Sequence, residues 1–85
     1  MSNNRVTIHV GLYKTVYLIK QNFNSWFIKN EVSFTNTKEV KIRWNDNRIT
    51  SFIVIRNYLS GKLSFDVIRY IIRKKINKVD TIWIN

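Results

Sequence analysis

Val6, Ile8 and Val10 alternate with Arg5, Thr7 and His9, and the same two-residue period returns at Val40, Ile42 and Trp44 against Lys41 and Arg43. It returns again at Ile82 and Ile84 against Thr81 and Trp83. Strict alternation marks a strand with one packed face and one wet face. Three such segments in a chain of 85 residues predict one sheet covered on a single side, within a single domain spanning 1–85.

The segments between them complete the order. Asn45-Asp46-Asn47 supplies residues tolerant of a left-handed turn, so Glu39–Trp44 and Arg48–Ile55 read as a hairpin. From Leu12 the apolar residues recur at Val16, Ile19, Phe23, Trp26 and Phe27, a helical spacing that predicts a helix over 12–28. The same stretch is rich in Thr, Val, Tyr and Ile, which favour strands, so a hairpin turning at Gly11 with Val16 to Ile19 as its second arm is the alternative. Near the C-terminus, Ser64 reads as a helix N-cap, with Asp66 in the first turn and Leu63 placed to staple onto Ile68. Val67, Ile68, Ile71, Ile72 and Ile76 form the apolar stripe of that helix, and Lys75 interrupts it.

The resulting βαββαβ order predicts an α+β fold, a ferredoxin-like sandwich of two helices on a four-stranded antiparallel sheet. Right-handed crossovers place the first strand between the fourth and the third, with the second at an edge. If 12–28 is a hairpin, the alternative is a five-stranded curled antiparallel sheet or small barrel with one C-terminal helix. In the sandwich the helices cover Val6, Ile8, Val10, Val40, Ile42, Ile53, Ile55, Ile82 and Ile84. The open face then carries Trp83, Thr7, His9, Thr50, Phe52, Val54, Lys41 and Arg43.

Fifteen Lys and Arg against five Asp and Glu give the chain +10, which repels itself unless a polyanion or salt screens it. Aromatic rings beside cations on an open sheet suit single-stranded nucleic acid, because bases stack on ring faces while phosphates pair with cations. His9, Lys41, Arg43, Phe52 and Trp83 are therefore the expected sheet site. On the C-terminal helix Arg69, Arg73, Lys74 and Lys78 form a basic stripe offset only by Asp66, a second expected contact for phosphates.

Arg48-Ile49-Thr50-Ser51-Phe52-Ile53-Val54-Ile55 resembles the RNP1 octapeptide of RNA-recognition-motif domains in its leading Arg, small fourth residue, Phe fifth and branched aliphatic sixth. Ile8-His9-Val10-Gly11 resembles their RNP2 stretch, with His9 where an aromatic ring stands. Ile49 replaces the Gly of that pattern, and Thr50 and Ile55 replace aromatics. The resemblance implies RNA stacking on His9 and Phe52; it covers these two segments and does not make the chain a member of the family.

Other chemistries find little support. With no Cys there is no disulfide, thiolate metal site or thiol nucleophile. His9 is the single histidine and has no acid at a telling spacing, while Glu31, Glu39, Asp46, Asp66 and Asp80 are scattered over turns, strand ends and a helix start. No Gly-rich phosphate loop is present. The expectation is a non-enzyme without cofactor or metal. No apolar run approaches the roughly 18 residues of a membrane span, and the N-terminal segment lacks a secretory h-region. A soluble cytoplasmic protein with no membrane partner is expected.

Thirteen Ile, eleven Asn and nine Lys, with no Ala or Pro, point to AT-rich coding. That composition suits a phage or mobile-element protein. The second functional reading is therefore an inhibitor or modulator that binds a host nucleic-acid-handling protein, in the host cytoplasm if phage-encoded. Exposed apolar residues on the open face would equally serve a homodimer contact.

Overall fold

A computed structural model of the chain describes residues 4–30, 36–55 and 58–85; Glu31 lies outside them. The strands are β1 (Arg5–Val10), β2 (Lys14–Ile19), β3 (Glu39–Trp44), β4 (Ile49–Ile53) and β5 (Val79–Ile84). The helices are α1 (Phe23–Asn30) and α2 (Tyr58–Lys74). One sheet runs β2-β1-β5-β3-β4, with β1 and β5 parallel and every other neighbouring pair antiparallel. The fold is α+β with two helices, as the sequence predicts. The sheet, however, has the five strands and the Gly11 hairpin of the alternative reading and is mixed rather than antiparallel, so it is neither the four-stranded ferredoxin-like sheet nor a barrel.

The departure begins at Gly11. Its φ of +63° is open to glycine at no cost, and the chain reverses there. β2 then runs back along β1, placing Val10 opposite Lys14 and Arg5 opposite Ile19. Thr15, Val16, Tyr17 and Ile19 obey their strand preference, and the helical period holds only from Phe23, where Phe23 and Phe27 are buried one turn apart. With β2 on one edge of β1, a single edge remains, and β5 takes it. β5 thus becomes the middle strand, four of its six residues buried.

The second hairpin forms as predicted. Asn47 has φ +68°, its N–H donates to the Trp44 carbonyl at 2.9 Å, and the Trp44 N–H donates to the Arg48 carbonyl at 2.9 Å. This is a three-residue loop closed by a left-handed residue. Asp46 accepts the Arg48 backbone N–H at 3.1 Å and its Nε at 2.7 Å. Those bonds, the backbone one first, hold its carboxyl below the ordinary range.

The loop sets Val40 opposite Phe52 and Ile42 opposite Thr50. Thr50, Phe52 and Val54 therefore face the helices, while Ile53 and Ile55 are 72% and 62% exposed, the reverse of the expected faces. Both alternating sets of Arg48–Ile55 contain branched or aromatic residues, so periodicity does not choose between them. A one-residue slip of register turns every side chain over.

α2 starts at Tyr58, well before Ser64, so Ser64 is interior to the helix and Leu63, 65% exposed, staples nothing. A Cβ on Gly61 would stand 3.2 Å from the Ile55 carbonyl oxygen, which explains a glycine inside this helix. The buried stripe is Phe65, Ile68 and Ile72, with Val67 outside it at 57% exposure. Against the sheet residues Val6, Ile8, Val40, Ile42, Ile82 and Ile84 it forms one core with Phe23 and Phe27. Rings of Phe23 and Phe27 lie 5.8 Å apart and those of Phe27 and Phe65 6.1 Å, joining the two helices. Each fully buried Ile contributes about 1.5–3 kcal/mol. Among the described residues no helix is long and apolar enough to cross a membrane.

Candidate functional site

Cross-strand register arranges the uncovered face of the sheet in two rows. One runs Thr15, His9, Trp83, Lys41, Ser51; the next runs Tyr17, Thr7, Thr81, Arg43, Ile49. Neighbours along a row stand about 5 Å apart. Four of the nine predicted site residues, His9, Lys41, Arg43 and Trp83, meet here.

His9 and Trp83 stack with ring centroids 5.7 Å apart and planes at 19°. Thr15 Oγ1 lies 3.2 Å from His9 Nδ1 and fixes the imidazole from the other side. On the far side of Trp83 the Arg43 guanidinium carbon sits 5.6 Å from the ring centroid, within cation–π range. Beside these groups a depression of about 330 Å³ is lined by His9, Lys41, Trp83, Leu12 and Ile49, among others.

The cations of this face are not bare. Between Arg43 and Trp44 the register shifts, so that Thr81 faces Arg43 and Val79 faces Trp44 with Asp80 between them. An extra residue of this kind re-aims its side chain. Asp80 turns to Arg43, which donates to its Oδ2 from Nε at 3.0 Å and from Nη2 at 2.7 Å. Thr81 Oγ1 donates to the same oxygen at 3.1 Å. The Arg43 bonds hold the Asp80 carboxyl below its ordinary range against the cost of burial, with Thr81 and the nearby charge of Lys20 assisting. Lys20 is itself buried and donates from Nζ to the Asn77 carbonyl at 3.2 Å. Lys41 lies 3.6 Å from Glu39, whose other oxygen accepts the Ser51 hydroxyl at 3.0 Å.

Sequence reasoning missed Tyr17, Glu39 and Asp80 as members of this face. Tyr17 is hidden by the helical reading of 12–28, and Asp80 by a bulge that alternation does not report. Glu39 lies two residues from Lys41 on one strand, a same-face spacing that was available as a signal.

The other five predicted residues lie elsewhere. Phe52 packs against the core on the helix side, so it is no stacking ring on the open face. The RNP1-like segment is an edge strand separated from the RNP2-like segment by β5 and β3, so the two do not make the adjacent pair the resemblance implies. Arg69 leaves the expected solvent arc: its Nη2 is 3.7 Å from Asp66 and its guanidinium lies over the Phe27 ring at 5.8 Å. Arg73 and Lys74 flank the Tyr70 ring at 5.9 and 5.6 Å, and Lys78 is in the 3-10 turn that follows α2. These helix cations sit on the covered side of the sheet. Among the described residues no three His, Cys, Asp or Glu side chains group closely enough to hold a metal ion. No protein-family model matches the chain, and neither does any curated protein or solved structure.

Proposed function

We propose that the chain is a small nucleic-acid-binding module that holds single-stranded RNA or DNA on its open sheet face, as a binder and not a catalyst. The observation that carries this reading is the His9–Trp83 stack flanked by Lys41 and Arg43. A base reaches the indole face by displacing the Arg43 guanidinium, and Arg43 and Lys41 then exchange Asp80 and Glu39 for the adjoining phosphates. Net charge of +10 supplies the long-range attraction.

The test is binding of a labelled single-stranded oligonucleotide at two salt concentrations. Released counterions require affinity to fall steeply as salt rises. Absence of binding at low salt overturns the reading.

A second reading has one observation in its favour. Tyr17, Ile49 and Ile53 are 72%, 61% and 72% exposed on the same face, an apolar rim of the kind that meets a protein. The partner would be an acidic protein surface, such as that of a host nucleic-acid-handling enzyme. A second copy of the chain would bring +10 against +10.

A further inference from the structure

The cations of the open face are answered by Glu39 and Asp80, so the excess positive charge lies elsewhere. A groove of about 640 Å³ runs between the β3–β4 hairpin and the end of α2, lined by Trp44, Asn45, Ile49, Thr50, Lys75 and Lys78, with Asp46 and Arg48 at the hairpin tip. Asp46 is taken by Arg48. Among the described residues neither Lys75 nor Lys78 has a carboxylate within ion-pair distance.

The groove is built rather than merely charged. Trp44 Nε1 donates to Thr50 Oγ1 at 2.8 Å, which fixes the indole, and the Lys75 ammonium stands 6.0 Å from that ring. The Asn45 side chain donates to the Asn77 carbonyl at 3.0 Å and its backbone N–H to the Lys78 carbonyl at 2.8 Å. Those two bonds tie the hairpin to the turn that carries Lys78. Ile49 lines both this groove and the depression beside Trp83, so the two are joined around the edge strand β4.

We infer that this groove is the phosphate anchor of the same single strand, which passes from the Trp83 platform over Ile49 to Lys75 and Lys78. The inference rests on the sheet-face reading for its ligand and adds a direction and a length. Bases stack on the sheet, and Lys75 and Lys78 hold the backbone beyond it. A short oligonucleotide reaches one part and a longer one both.

The experiment measures binding of single-stranded oligodeoxythymidylates of about 4 and about 12 nucleotides to the full chain, its Lys75→Gln/Lys78→Gln variant and its Trp83→Ala variant, a range that single-strand sites span. Lys14→Gln/Lys29→Gln on β2 and α1 serves as the equal-charge control, and thermal unfolding confirms that each variant folds. The Lys75/Lys78 variant is expected to lose about tenfold in affinity for the longer strand, several times the loss in the control. Its salt slope should become shallower by about 1.4, two single-strand phosphate contacts. The shorter strand should distinguish the variant from the control far less. Equal losses in the two double variants overturn the inference while leaving the sheet reading intact. Loss in the Lys75/Lys78 variant with none in Trp83→Ala overturns the sheet reading and, with it, the path from Trp83 to the groove. Failure of the unaltered chain to bind either strand overturns both.

Discussion

His9 and Trp83 stand directly opposite each other across the parallel strands β1 and β5, and their rings stack at 5.7 Å. Trp83→Ala removes the larger ring and should cost roughly 1–3 kcal/mol of affinity for a single-stranded oligonucleotide. Titration by fluorescence anisotropy measures the loss, and unchanged affinity excludes the ring from the site.

Lys41→Ala with Arg43→Ala should weaken binding about equally for every sequence, because phosphate contacts position without specifying. The salt slope should shallow by at most about 1.4, and by less if Glu39 and Asp80 keep these cations engaged. A sequence-dependent loss would show that one of them reads a base.

Phe52→Ala tests the corrected register. Phe52 packs against the core from β4, so truncation should destabilise the fold by about 2 kcal/mol in urea unfolding. A substitution on a free stacking face would leave the unfolding midpoint almost unchanged.

Asp80 gives a pH signature. Arg43 lowers its carboxyl pKa in the folded state, so the Asp80 contribution is complete above the unfolded value of about 3.9 and is lost as pH falls through the lower folded value. Relative to Asp80→Asn, the unaltered chain should hold a constant advantage near neutral pH. That advantage should shrink only in acid below about pH 4, read from unfolding curves. An advantage that grows in acid would contradict the pairing.

Gly11→Ala should cost about 1 kcal/mol although an added Cβ meets nothing within 4 Å, since the penalty is the left-handed backbone itself. Gly11→Asn should lose less, because Asn tolerates that region. Thermal unfolding of the two variants ranks them.

Much of the fold is legible where one alternating set is apolar and the other polar. Val6/Ile8 against Arg5/Thr7, Val40/Ile42 against Lys41/Arg43, and Ile82/Ile84 against Thr81/Trp83 all face as their pattern predicts. Legibility fails where both sets are apolar. In Arg48–Ile55 the register comes from the three-residue loop Asn45-Asp46-Asn47, and counting back from Trp44 opposite Arg48 sets Phe52 beside Val40, which alternation alone does not report. In 12–28 a strand and a helix share one apolar run, and Val16 and Ile19 fit a helical arc by coincidence of spacing while Phe23 and Phe27 fit it by structure. The site follows the same division: Trp83, His9, Lys41 and Arg43 come together where alternation assigns their faces, and Phe52 lies on the other face because the alternation of its strand is ambiguous.

The middle position of β5 has a consequence for how the chain assembles. Each hairpin, β1 with β2 and β3 with β4, can close on its own soon after synthesis, yet each then offers an unpaired edge. The strand that occupies both edges follows them in the polypeptide, so Thr7 must wait for Thr81 and Lys41 for Trp83. Completion of the sheet is thus a non-local and late event, slow relative to hairpin closure. Until it happens the two halves are open to pairing with other nascent chains, and Trp83, one of the four β5 residues that pair with both halves, is also the ring at the centre of the open face.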